Sequence, residues 1–333
     1  MRVEVKPELL RWARERAGFD LAALARRFPQ LPDGESGDAR PTLKQLEQFA
    51  KATYAPIGFL FLPEPPVEHV PIPDFRTVGN RHVERPSPDL LDTLYTCQQR
   101  QEWYRDFARS EREPPLAFVG SIALTTNVEA AAARIRTALG FDIDARRQMP
   151  TWTEALRHFI GQADAAGILV MVSGVVGSNN RRKLDPDEFR GFALADDLAP
   201  LVFINGADSK SAQMFTLAHE LAHVWLGQSA LSDVGPASSP SNDVERWCNR
   251  VAAELFKPLA GLRQEYRSRP VPHAETGRLA RHFNVSARVS KRFARALVVS
   301  TQEGRPSFTE AFRLVGFKKM AAFREMECSV GRD

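Results

Sequence analysis

Cysteine is scarce. The 333 residues hold only Cys97, Cys248 and Cys328, far apart and odd in number, which argues against a disulfide framework and fits a reducing compartment. No apolar run approaches the ~20 residues needed to span a bilayer. The opening stretch, MRVEVKPELLRWARER, lacks the apolar core of a secretory signal. A large excess of one charge is missing too: the formal net charge is +4, so nothing global demands a nucleic-acid or membrane partner. Internal repeats and low-complexity tracts are also absent. The expectation is a cytoplasmic protein with no membrane partner, long enough for two or three domains.

What is present falls into segments. KPELLRWARERAG puts Leu9, Leu10, Ala13 and Ala17 at helical spacing and ends on Gly18. Asp20 is placed to cap DLAALARRF, and Thr42 opens the amphipathic TLKQLEQFAKAT. Between them, PQLPDGESGDARP reads as turn. Short helices joined by tight turns suggest a helix-turn-helix bundle over residues 1–61. Residues 62–112 follow as a proline-rich linker, LPEPPVEHVPIP, and a long helix from about Ser87 to Arg109.

Residues 113–260 are mixed. NVEAAAARIRTALG and TWTEALRHFIGQADAAG look helical, while GILVMVSGVVG, EFRGFALADD and APLVFING look like strands bounded by glycine, aspartate and proline. GQSALSDVGPASSPSN reads as a loop between two further helices. Residues 261–333 are helical in pattern and basic. The predicted fold class is α+β and mostly helical, with a short sheet in the central domain.

The chemistry concentrates in FTLAHELAHVWL. Residues i and i+4 share a helix face, so His219 and His223 can hold one ion between them, the arrangement a zinc helix requires. Glu220 sits beside them, where its carboxylate can reach an attacking water. Catalytic zinc usually takes three protein ligands. DVERWCNRVAAELF supplies Glu245 at the start of the next helix. Cys248, three residues on, is its chief rival, with Asp233 and Asp243 weaker ones. Glu254 lies about half a turn out of phase with Glu245 and cannot share its ion. The competing reading is a core helix with two satisfied histidines.

FTLAHELAHVWLG followed by ERWCNRVAAELFKP resembles the ImmA/IrrE family of zinc metallopeptidases. The N-terminal PTLKQLEQFAKAT, FLFLPEPP and PDFRTV resemble members that carry a fused XRE-type helix-turn-helix domain. The resemblance implies Zn2+ held by His219, His223 and Glu245, with Glu220 as general base. It also implies a zincin-like peptidase domain and matches Asn249 to the family's asparagine. LFKP departs from relatives that have methionine before the proline, past the ligands. By the same resemblance the substrate is a regulatory protein, an XRE-type repressor or antitoxin, whose cleavage changes transcription.

Several roles stay open from sequence. Tyr266 and His273 are candidates for a second electrophile. FRGFALADD or PLVFING could take up an extended substrate as an edge strand. The N-terminal bundle offers little for base readout, because PQLPDGESGDAR, with its prolines, glycines and several acids, offers little of the continuous helix or of the exposed Arg, Asn or Gln side chains that readout needs. The alternative there is a scaffold that packs on the peptidase or recognises a related protein. In the basic C-terminal region, Arg278, Arg281, Arg288, Lys291, Arg292 and Arg295 cluster around Asn284 to Ser286 and could contact phosphate. The competing reading is a solvated face. A second overall reading is a non-catalytic DNA-binding or toxin-antitoxin module that retains the zincin fold.

Overall fold

The computed structural model describes residues 2–257 apart from 76, 79–80, 83–84 and 233–241. The basic C-terminal region lies outside the described residues. Contacts divide the chain into two units, residues 1–71 with 83–95, and residues 72–82 with 96–333.

The first unit contains α1 (Pro7–Arg16), α2 (Leu21–Ala25), α3 (Leu31–Ser36), α4 (Leu43–Ala52) and a 3₁₀ turn at Ile57–Phe61. Its starts are set locally. Asp20 accepts hydrogen bonds from the Ala22 and Ala23 amides, and Thr42 and Gln45 form a reciprocal capping box. Leu9, Leu10, Leu31, Leu46, Phe49 and Leu60 fill a common core.

One expectation fails here: the stretch read as turn holds α3. Pro32 lies in the first turn of α3, where a missing amide costs nothing. Gly37 closes the helix with φ of 90°, a conformation that suits glycine. A buried pair ties α3 to α1, with Arg14 Nε 2.7 Å from Glu35 Oε1 and Nη2 3.1 Å from Oε2. The Glu35 carboxylate therefore links α3 to α1.

In the second unit, β1 (Thr77–Val78) and β2 (Arg81–His82) form a two-stranded ribbon. The long helix α5 (Pro88–Ser110) spans the boundary between the units. Then come α6 (Val128–Leu139), α7 (Ile143–Arg147), α8 (Trp152–Ala165), β3 (Leu169–Ser173), β4 (Val175–Val176) and β5 (Asn179–Lys183). β6 (Gly191–Leu194), β7 (Leu201–Asn205), α9 (Lys210–Leu226), β8 (Ala230–Ser232) and α10 (Asp243–Phe256) complete the order. The architecture is α+β and mostly helical, in line with the sequence pattern.

A four-stranded sheet runs β3-β7-β6-β8. β3 and β7 are parallel, pairing Val170 with Val202, and β6 is antiparallel to both its neighbours, setting Phe192 between Phe203 and Leu231. β6 and β7 are buried at every position. Their largely apolar run, broken only by Asn205 at the end of β7, reflects covering on both faces rather than alternation. Helices α6, α8, α9 and α10 share the main core, with Ile135, Phe159, Leu217, Leu221, Val251 and Leu255 among its members. Gln101 fastens α5 to the sheet by donating to the carbonyls of Leu194 and Ala199, at 2.9 and 2.8 Å.

Two further corrections bear on the site. The stretch read as a Ser-rich loop contains β8, paired with β6. In addition, β6 and β7 are the inner strands of the sheet, so neither FRGFALADD nor PLVFING offers an edge to a substrate. Their backbone donors and acceptors are already committed to neighbours.

Candidate metal centre

Helix α9 starts at Ser209, whose hydroxyl accepts from the Ala212 amide, and stops at Gly227. Residues 213–225 are all buried. An apolar helix covered on every side is an interior helix, and its polar members must be satisfied locally. Gln213 meets this rule by donating to the carbonyls of Gly206 and Asp208. His219, Glu220 and His223 are 0% exposed and Glu245 1%.

α10 begins at Asn242, whose side chain caps the Val244 amide, and Trp247 Nε1 donates to the Thr126 carbonyl at 3.0 Å. This anchoring presents Glu245, in the first turn, to α9. The Nε2 atoms of His219 and His223 lie 3.2 Å apart. Glu245 Oε1 is 2.9 Å from His223 Nε2, and Oε2 is 3.2 Å from His219 Nε2. Ser232 of β8 donates from Oγ to Glu245 Oε1 at 3.2 Å.

These separations pass a simple test. Donors held tetrahedrally at zinc's usual distance of about 2.0–2.1 Å would stand roughly 3.3 Å from one another. The three side chains offer that spacing with donor types that zinc prefers. Among the described residues they form the group whose ligand atoms converge within 4.8 Å.

The rivals fare differently. Cys248 is buried but is not part of the converging group. Burial, then the charges of Glu245 and Glu220, pushes its thiol well above the ordinary range. Asp243 is exposed and pairs with Arg246. Glu254 also stands outside the group, as its helical phase requires. Asp233, Tyr266 and His273 lie outside the described residues.

Electrostatics separates the two carboxylates. Burial alone would raise Glu245, but the charges and hydrogen bonds of His219 and His223 outweigh it and hold the group below its usual range. Glu220 is raised well above the ordinary value, first by burial and then by the charge of Glu245. The nearby Ser232 hydroxyl tempers that rise, yet neither oxygen of Glu220 has a hydrogen-bond partner among the described residues. Burial lowers His223 despite the help of Glu245, which favours the neutral imidazole that binds metal. The two carboxylates thus differ: Glu245 keeps its charge between the two imidazoles, and Glu220 lies buried beside them.

Sequence reasoning missed two neighbours. Ser232 sat in the stretch read as loop. Phe75 lies over the His223 ring, with centroids 6.4 Å apart and planes 22° apart. No local pattern signals either contact, because both arise from pairing between distant segments. Asn249 is only half-buried, and its Oδ1 has no partner among the described residues.

Residues 163–294 match the family model of the IrrE N-terminal-like domain, an M78 peptidase family. That stretch contains α9, β8 and α10, and the match supports a metallopeptidase of the ImmA/IrrE type there. A second model, described as a domain of unknown function, matches residues 289–327. No curated protein matches the chain. Among the described residues, no helix is long and apolar enough to cross a membrane.

Proposed function

We propose that this protein is a zinc-dependent endopeptidase of the cytoplasm. The observation that carries the reading is the convergence of His219, His223 and Glu245 beside a buried, unpaired Glu220. A Zn2+ ion held by those three side chains would supply Lewis acidity toward water and toward a peptide carbonyl. Glu220 accepts the proton of the attacking water on a carboxylate oxygen and delivers it to the departing amine. Glu245, fixed by Ser232, keeps its charge and its place.

The substrate class rests on the family resemblance: a regulatory protein, an XRE-type repressor or antitoxin, whose cleavage alters transcription. In this reading residues 1–61 are an XRE-like bundle, 62–112 a connection, 113–260 the peptidase and 261–333 a basic helical region that could touch DNA. The bundle itself is assigned no base-reading role. Its α3 is six residues long and commits Glu35 to Arg14, whereas readout needs exposed donors along a longer helix.

The test combines elemental analysis of the purified protein with cleavage of a helix-turn-helix protein encoded beside it. One zinc per chain and loss of cleavage in Glu220→Gln are expected. Equal cleavage by wild type and Glu220→Gln would remove Glu220 as the base.

A further inference from the structure

Of the two edges of the sheet, the one beside the metal ligands is already taken. β8 carries Ser232 at hydrogen-bond distance from Glu245, so its outer side borders the donor cluster. There the Phe75 amide donates to the Leu231 carbonyl at 2.9 Å, and the Leu231 amide donates to the Pro73 carbonyl at 2.9 Å. Asp74 and Leu231 form a parallel bridge. These are the pairings that an added strand makes. The Phe75 ring then rests on the imidazole of His223.

Two features separate this segment from a permanent edge cover. It is short, held by two backbone hydrogen bonds. It also cannot grow upstream, because Pro71 and Pro73 have no amide to donate. Its strength comes from tethering: a joined segment competes at an effective concentration on the order of millimolar. Meanwhile His219, Glu220 and His223 are 0% exposed. A peptidase with such a site cannot accept a peptide until something moves.

We infer that the outer edge of β8 is the track for an extended peptide bearing an aromatic side chain beside His223, and that Pro73–Phe75 is its resident occupant. The inference rests on the peptidase reading above and adds the shape of the substrate. An incoming chain displaces Pro73–Phe75, takes over the two hydrogen bonds of Leu231, and sets a flat apolar side chain where Phe75 lies. The resident segment already sets a ring 6.4 Å from the His223 imidazole, centroid to centroid.

The experiment uses the full chain carrying Glu220→Gln, so that binding is read without cleavage. A fluorescein-labelled peptide of residues 70–75 is titrated by anisotropy against this protein and against versions with Phe75→Pro or Phe75→Ala. Phe75→Pro removes both the amide donor and the ring, and should bind the peptide at least tenfold tighter. Phe75→Ala removes only the ring and should fall between. Equal affinity in all three, or binding to none, overturns the inference.

Hydrolysis of the same peptide by the zinc-loaded chain with Glu220 intact separates the two readings. Tighter binding without hydrolysis in any version keeps the occupied track and removes the peptidase. Hydrolysis by wild type that Phe75→Pro does not raise removes the occupied track and keeps the peptidase. Should Phe75→Pro fail to fold, amide exchange in the Glu220→Gln protein decides. Added peptide should speed exchange at the Phe75 amide at least tenfold while Leu231 stays protected, and unchanged exchange at Phe75 overturns the inference.

Discussion

Gly191 of β6 lies directly against Thr216 of α9: a Cβ placed on the glycine would fall 2.5 Å from Thr216 Cγ2 and 2.7 Å from the Phe203 carbonyl oxygen. Helix α9 approaches the sheet this closely because position 191 has no side chain. The Cβ would also meet Glu220 Cγ at 3.4 Å, so the contact helps set the distance between helix and strand beside the proposed base. Gly191→Ala should lower the unfolding free energy by about 2–3 kcal/mol, the range for overpacking a filled core. Adding Thr216→Ser removes one of the two clashes and should restore part of the loss. Denaturant titration of the three variants checks this, and a neutral Gly191→Ala would show that α9 floats free of the sheet.

The site was legible in the sequence where its chemistry is local. Residues 219 and 223 share a face because of helical geometry alone, and Glu245 was reachable by its place at the head of the following helix. What stayed hidden depends on long-range pairing. β8 is three residues long inside a serine-rich stretch, and its ladder to β6 and bridge to Asp74 make it a strand. The inner position of β7 did leave a trace. Residues 200–204, PLVFI, are apolar throughout, the mark of a strand covered on both faces, and that trace argues against the edge role assigned to it. In the N-terminal bundle, the acidic and glycine content of LPDGES masked a helix that Pro32 starts and Gly37 ends.

Cys97 gives a prediction that depends on pH. Its thiol is buried, and burial pushes it up to about 12, with Arg100 opposing only weakly. The reactive species is the thiolate, whose share at pH 8 is then about one part in ten thousand and grows tenfold with each added pH unit. Iodoacetamide at pH 8 should leave Cys97 unmodified in the folded protein, and Cys248, also buried and raised, should behave alike. In denaturant both should label within minutes. Peptide mapping by mass spectrometry reads the outcome, and rapid labelling of Cys97 in the native chain would contradict its enclosure.

Metal loading should separate ligands from base by stability alone. Two imidazole nitrogens stand 3.2 Å apart against one carboxylate in a buried site, and hydrogen bonds to Glu245 can satisfy them only in part. Zinc at about a thousand times its dissociation constant adds roughly 4 kcal/mol to the folded state. In a domain of this size that amounts to a rise of about 8 °C or more in Tm. Calorimetry with zinc against chelator should show the rise in wild type and in Glu220→Gln, because Glu220 is not among the converging donors. His223→Ala and Glu245→Ala should lose it, each removing one of three ligands. A rise that survives Glu245→Ala but disappears in Glu220→Gln would exchange the roles of the two carboxylates, and with them the assignment of the proton acceptor.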